Sequence, residues 1–193
     1  SYTPADKGYG IRAAIWAGAH LDAEPAPVLF DRGLVAPGVD AGYVVSENAF
    51  GGKAFPGTVG QYNPGSQPFL KVNRHGERFM NESQEYDNAS HASFQQPGHV
   101  YAMIHDANFR EDVDRFHTIG CSALTRYIPG MMEGQLEQYE GEGLIMKADT
   151  IEELADKMGF TGADKDNFVA TVARYNELYD KQNDEDSASL QAV

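Results

Sequence analysis

The stretch VNRHGERFMNE, Val72–Glu82, decides how the rest of this chain is read. Val72, Phe79 and Met80 are apolar, His75 and Gly76 lie between them, and charged residues flank both arms. Apolar residues on either side of a short, glycine-containing polar centre predict strand, tight turn, strand. Phe69–Asn73 forms the first arm and Arg78–Met80 the second. A helix over Glu85–Phe94 follows the polar start at Ser83. Composition by itself goes no further than a hairpin followed by a helix.

Toward the C-terminus, Val100–Asp106 alternates like a strand and Asn108–Val113 begins a short helix. Gly120–Gly143 is ambiguous, with helical spacing between Met131 and Tyr139. Leu144–Ala148 reads as a short strand. Thr150 and Glu153 form a capping box, in which the hydroxyl accepts from the amide three residues on and the carboxylate returns to the cap. The helix they open, Ile151–Met158, stops at Gly159. Asp164–Tyr179 is the clearest helix, with Phe168, Val172, Tyr175 and Tyr179 near one face. Beyond Asp180 all periodicity is lost, so residues 181–193 are expected to be a frayed, solvated tail. Toward the N-terminus, Gly10–Leu21 has helical spacing with many small residues, and is expected to pack closely on something. Ala23–Pro68 is rich in Gly and Pro and holds one strand candidate, Gly42–Ser46. So long an irregular stretch in a compact domain is more often functional than accidental. No repeats occur, and strands and helices do not alternate regularly, which gives an α+β class.

The 193 residues suffice for one domain with a real core. Net charge is −14, from 29 acids against 15 bases, which disfavours nucleic acid and anionic membrane surfaces as partners. The single cysteine, Cys121, excludes an internal disulfide and a cysteine-based metal site. No pair among His20, His75, His91, His99, His105 and His117 has a metal-ligand spacing, so no metal is expected. The acids Glu133, Glu137, Glu140 and Glu142 lack the alternation of a calcium loop and read as a solvated face. No apolar run approaches the roughly 18 residues of a membrane span. No signal peptide opens the chain, which begins SYTPADKG and is expected to be part of a longer one. Whether that parent is cytoplasmic or exported is not specified.

The central stretch resembles a segment of the flavoprotein subunits of fumarate reductases, urocanate reductases and ketosteroid dehydrogenases. Val72, Asn73, Gly76, Arg78, Phe79, Asn81 and Glu82 match its pattern. Gly8–Asp22, GYGIRAAIWAGAHLD, resembles the helix leading into the capping domain of these proteins, with Tyr9 where an aspartate is usual. Gln96–Phe109, including VYAMIHDANF, is similar to their strand ending in an aspartate. Thr150–Gly159 and Phe168–Glu177, with VARYNE, are similar to their closing helices. The resemblance implies a substrate-capping domain: a small mixed sheet with flanking helices and long Gly/Pro-rich loops. Residues 1–22 would be the leading helix from the flavin-domain side, 23–180 the cap and 181–193 a flexible tail. It implies FAD as cofactor, bound mainly by a flavin domain of the same parent chain that lies outside this segment. Gly8, Gly10 and Ala13 mimic a dinucleotide fingerprint, but no apolar strand precedes them and Pro4 interrupts the approach, so the mimic is rejected. By this reading the isolated chain is inactive although its parent is an enzyme.

The family reaction passes a hydride between flavin and an activated C–C bond while an acid or base handles the other proton. In fumarate reductases the donor resembles an arginine four residues after the motif's glutamate. That position here is Tyr86, followed by Asp87 where the family also has aspartate. A phenol, with an unperturbed pKa of about 10, can serve as the acid. The alternative for Tyr86 is ordinary packing on its helix. The histidine-proline-threonine run that holds one fumarate carboxylate would fall near Val28–Phe30 and is missing. The proton-relay groups would fall near Gln61, Tyr62 and Gly65, and are missing too. A dicarboxylate needs cations or many donors to offset its desolvation. The expected substrate is therefore a less charged enone or acrylate type, with Gln61, Tyr62, Phe50, Phe55 and Tyr43 as pocket candidates. For any one of those aromatics, packing is the plainer reading. Arg78, Asn81, Glu82 and Asp87 would support the site, Glu82 through an ion pair or a helix start and Asn81 through local backbone. The competing function is a stand-alone small-molecule binding or interaction module without flavin, its pocket in Ala23–Pro68.

Overall fold

The computed structural model describes residues 8–20, 33–41, 46–47, 53–54, 58–61, 69–84, 86–116 and 131–190. Its elements, in chain order, are α1 (Tyr9–Trp16), β1 (Gly33–Val35), β2 (Ser46–Glu47), β3 (Lys53–Ala54), β4 (Thr58–Gln61), β5 (Leu70–Val72), α2 (Tyr86–Phe94), β6 (Ala102–Ile104), α3 (Phe109–Phe116), α4 (Met131–Gly141), α5 (Ile151–Lys157), α6 (Gly162–Lys181) and α7 (Ser187–Leu190).

Among the described residues the strands form three separate antiparallel pairs, β1–β4, β2–β3 and β5–β6, and not one mixed sheet. The β5–β6 ribbon organises the core. Leu70 lies opposite Ile104, Lys71 opposite Met103 and Val72 opposite Ala102. Alternation along each strand sends neighbours to opposite faces. Leu70, Val72, Ala102 and Ile104 face α5 and α6, where they meet Ala155, Phe160, Phe168 and Val172. Phe69 and Met103 face the other way and join Phe109 and Val113 of α3 and Leu136 of α4. A ribbon buried on both faces explains why three short residues per strand hold.

The turn after β5 forms as its residues predict. Asn73 Oδ1 accepts from the N–H groups of His75 (2.9 Å) and Glu77 (3.1 Å), and Gly76 N–H donates to Asn73 O (3.0 Å). The second hairpin arm does not become a strand. Only a single bridge, Val72 to Arg78, links it to β5, and β5 instead pairs with β6. The chain is already turning again at Asn81, whose Oδ1 accepts from Ser83 N–H at 2.9 Å.

Two other expectations are corrected. Leu144–Ala148 is not a strand: the amides of Leu144 (2.8 Å) and Ile145 (3.1 Å) donate to Tyr139 O and close the end of α4, with Leu144 and Ile145 packed on Tyr139. The described side chains of residues 182–190 are exposed or half-buried, but the segment is not without structure, since Ser187–Leu190 form α7. α6 ends at Gln182, whose left-handed φ of 53° turns the chain back, and the acids that follow pair with arginines.

The capping box is half visible: Glu153 N–H donates to Thr150 Oγ1 at 3.2 Å and opens α5. α6 buries Phe168, Val172 and Leu178, while Tyr179 is exposed, so its apolar stripe shifts by one residue at the last turn. α1 ends at Trp16, short of the expected Leu21, where Gly18 takes φ 97°. It buries none of its residues: Tyr9, Ile11, Ile15 and Trp16 are all exposed. Of Gly42–Ser46 only Ser46 is described, in β2. No described helix is long and apolar enough to cross a membrane.

Candidate functional site

The fold draws the central motif together around Arg78. Its guanidinium donates to both oxygens of Glu82, from Nε at 3.1 Å and from Nη2 at 2.5 Å. It also donates to Asp184, from Nη1 at 3.1 Å and Nη2 at 2.8 Å. The Tyr175 ring lies 5.0 Å from the guanidinium carbon and covers one face of the cation. Side-chain exposure is 10% for Arg78 and 4% for Glu82, so this pair is desolvated. Burial works against the cation, but the bonds to Asp184 and Glu82 outweigh it and raise the Arg78 pKa above its ordinary value. The Arg78 hydrogen bond holds Asp184 below the ordinary carboxylate range. Burial first, and then the Glu82 charge, push the Tyr175 phenol up. Glu82 Oε1 also accepts the main-chain N–H of Lys71 at 3.4 Å, which ties the motif to β5.

Four residues beyond Glu82, Tyr86 is the first residue of α2. The side chains of Tyr86 and Asp87 lie outside the described residues, as do Phe50, Phe55, Tyr62 and Tyr43 altogether. Gln61 ends β4, opposite Gly33. Arg78 and Glu82 are thus brought together as expected, and Asn81 bonds local backbone. α2 is tied down at its far end: Gln96 Nε2 donates to Ala92 O (2.9 Å), and Gln96 Oε1 accepts from Asn73 Nδ2 (3.2 Å). The end of α2 is thus referred to the turn after β5.

Sequence reasoning missed Asp184 and Tyr175, which arrive from the far end of the chain. An acidic run facing a motif with one buried arginine was the available signal. It also passed over Lys71, which is buried within the ribbon with its ammonium 6.0 Å from the Tyr101 ring. His105 is half-buried. Its ring packs 5.2 Å from Phe69 and 4.6 Å from Phe109, and Nδ1–H donates to Asp106 O at 3.2 Å. Burial pushes its pKa down. Glu133 is bound by Arg110 at 2.6 and 2.9 Å and Glu140 pairs with Lys147, so two acids of the supposed solvated face are paired. Among the described residues no cluster of three or more His, Cys, Asp or Glu could hold a metal.

The start of α1 is the described element most suited to an anionic cofactor. Gly8 is its N-cap, no side chain caps the helix, and no acid lies in the first turn. Main-chain amides at a helix start favour phosphate. Yet nothing lies within 4 Å of where a Cβ at Gly8 or Gly10 would stand, so this element presents an open contact and no enclosing cradle. By themselves these residues do not make a dinucleotide site.

A family model described as an FAD binding domain matches residues 1–192. The chain is similar to the NADH:acrylate oxidoreductase of Vibrio harveyi, 33% identical over 116 residues, 60% of this chain and 10% of that protein. It is similar to the 3-oxosteroid 1-dehydrogenase of Mycolicibacterium smegmatis, 35% identical over 136 residues, 64% of this chain and 20% of the relative. The 3-oxosteroid 1-dehydrogenase of Mycobacterium tuberculosis is 32% identical over 187 residues, 94% of this chain and 28% of its own length. This chain therefore spans less than a third of each of these relatives. The chain belongs to the FAD binding domain family, whose cofactor is FAD and whose members similar to it are flavoprotein oxidoreductases.

Proposed function

We propose that this chain is the substrate-capping part of an FAD-dependent oxidoreductase that moves a hydride to or from an activated carbon–carbon bond. The observation that supports the reading is the central motif: Arg78 and Glu82 form a buried pair tied to β5, and Tyr86, four residues beyond Glu82, is the first residue of α2. A group held on a rigid element next to a reacting centre needs no reorganisation at the moment of reaction. Bound FAD supplies or accepts the hydride. The work left to this chain is to close over the substrate, exclude water and hold the Tyr86 phenol where the second proton is exchanged. The exposed face of α1, with Tyr9, Ile11 and Trp16, is the surface that meets the flavin-binding part of the same parent.

The substrate is of the acrylate or enone class. The chain lacks the carboxylate-binding and relay groups at Val28–Phe30 and at Gln61, Tyr62 and Gly65 that a dicarboxylate requires. Acrylate and 3-oxosteroid, the compounds in the relatives' names, both pair a reacting C–C bond with a carbonyl group that can spread negative charge.

The test is acceptor-driven reoxidation. The complete parent protein, loaded with FAD and reduced without oxygen, is mixed with an acrylate, an α,β-unsaturated ketone or fumarate. Rapid return of the oxidised flavin spectrum with the first or second, and slow return with fumarate, is expected. No return with either, or preference for fumarate, would overturn the substrate class.

A further inference from the structure

Three turns meet at Arg74. Its guanidinium donates from Nη1 to Asp40 and from Nη2 to Val39 O at 2.9 Å, so it binds both a side chain and the main chain of one short segment. The next residue, Ala41, donates its N–H to Gly98 O at 2.8 Å, in the turn Pro97–His99 that follows α2. Gly98 takes φ 71°, and a Cβ there would stand 2.5 Å from Asp40 Oδ1 and 2.7 Å from Arg74 Cζ. The clasp therefore closes over a position with no room for a side chain. Arg74 itself belongs to the turn after β5, whose Asn73 holds Gln96 just ahead of Gly98.

The segment that Arg74 binds is stiffly joined to β1. Ala36-Pro37-Gly38-Val39 is a tight turn: Val39 N–H donates to Ala36 O at 3.1 Å, proline presets its own φ, and Gly38 supplies a φ of 78°. β1 then pairs with β4, Val35 opposite Thr58, Leu34 opposite Gly60 and Gly33 opposite Gln61, with one shift of register between Leu34 and Val35. Every step from Arg74 to the main chain of Gln61 is thus a hydrogen bond, a stretch of backbone or a strand pairing. The ribbon has a second hold, Leu34 against Tyr139 of α4. Apolar burial is non-directional and tolerates sliding, whereas hydrogen bonds are directional and fix an approach.

We propose that Arg74 is a positioning residue: it clasps the turn after β1 to the turn after β5, and so fixes where the β1–β4 ribbon, with Gln61 at its end, stands against the central motif. The inference rests on the reading of this chain as the part that closes over substrate, because the ribbon's place matters to turnover only if Gln61 meets the substrate. The side chains of Arg74 and Asp40 are 34% and 43% exposed, so the pair adds little to global stability and is weakened by salt. What it governs is the local placement of the ribbon.

The experiment uses the complete FAD-loaded parent with Arg74→Gln. Hydrogen exchange over residues 33–41 and 58–61 is expected to quicken by about tenfold, the scale of losing a hydrogen bond and an exposed ion pair, with the melting midpoint nearly unmoved. KM rises severalfold, and kcat changes less, for whichever of acrylate, enone or fumarate reoxidises the flavin fastest. Arg74→Lys, which keeps the charge but not the fork, restores part of both. In a Gln61→Ala background, Arg74→Gln raises KM no further, since the two act in one line. Gly98→Ala wedges the clasp without altering either charge, and quickens exchange over the same residues. Unchanged exchange there in both Arg74→Gln and Gly98→Ala overturns the clasp. A KM unchanged by Arg74→Gln, or raised in full on top of Gln61→Ala, overturns the positioning role. If Gln61→Ala alone leaves KM unaltered, the reading of Gln61 as a substrate contact fails, and the clasp is then decided by exchange alone. Should Arg74→Gln not fold, Asp40→Asn releases the same bond and gives the same readout.

Discussion

Arg78 presents its N–H donors in a planar fork, and the fold sets that fork between two carboxylates that come from different places in the chain. Its bond to Glu82 was legible as an ion pair between two opposite charges of the same short motif. Asp184 was not, because nothing local relates positions 106 residues apart. Removing the cation strands a carboxylate that is nearly inaccessible. Arg78→Met is expected to destabilise by about 3–5 kcal/mol, read by denaturant unfolding. A loss below about 1 kcal/mol would mean that Glu82 has another way to be satisfied. His105 makes a second residue-scale prediction. Its folded pKa lies below 6.5, so at pH below about 6.5 the unfolded chain takes up a proton that the folded chain refuses. Stability is therefore retained above about pH 6.5 and falls as pH drops below it. His105→Asn should lessen that fall, as seen by comparing unfolding midpoints at neutral and mildly acidic pH. Identical pH dependence in both proteins would contradict the assignment.

α5 and α6 were written plainly in the sequence, by a cap at Thr150 and by apolar residues at helical spacing. Their boundaries moved by two residues or fewer: α5 stops at Lys157, and α6 runs from Gly162 to Lys181. The hairpin was legible in its turn but not in its partner. Period-two alternation shows that Leu70–Val72 is a strand; it does not show that the matching strand lies beyond α2, at Ala102–Ile104. Leu144–Ala148 failed for a related reason, since an apolar run that closes a helix has the same composition as a short strand. The glycine of the turn has two physical duties. Gly76 takes φ 71°, and a Cβ there would stand 2.5 Å from Asp164 O and 2.6 Å from Phe168 N, both main-chain atoms of α6. Gly76→Ala is expected to cost about 3 kcal/mol or more, since strain at positive φ and overpacking each contribute about 1–3 kcal/mol. Calorimetric melting of the variant checks this. A cost under about 1 kcal/mol would show that α6 can move away from the turn.

On the scale of the whole molecule, the β5–β6 ribbon divides two apolar clusters, and the motif at its end meets the long helix α6 at Tyr175 and the end of α2 at Gln96. Composition and charge disfavoured nucleic acid and anionic membrane surfaces without identifying chemistry. The flavoprotein family was legible only through resemblance, because FAD binding leaves no mark in net charge or periodicity. The central claim is that this architecture exists to present Tyr86 to a substrate lying against the flavin. Tyr86→Phe in the complete parent protein tests it most directly. The account predicts unchanged FAD content and spectrum, with turnover lowered by about 10²–10⁴-fold, the range for loss of a positioned acid. Unchanged turnover in a variant that folds and holds FAD would contradict it.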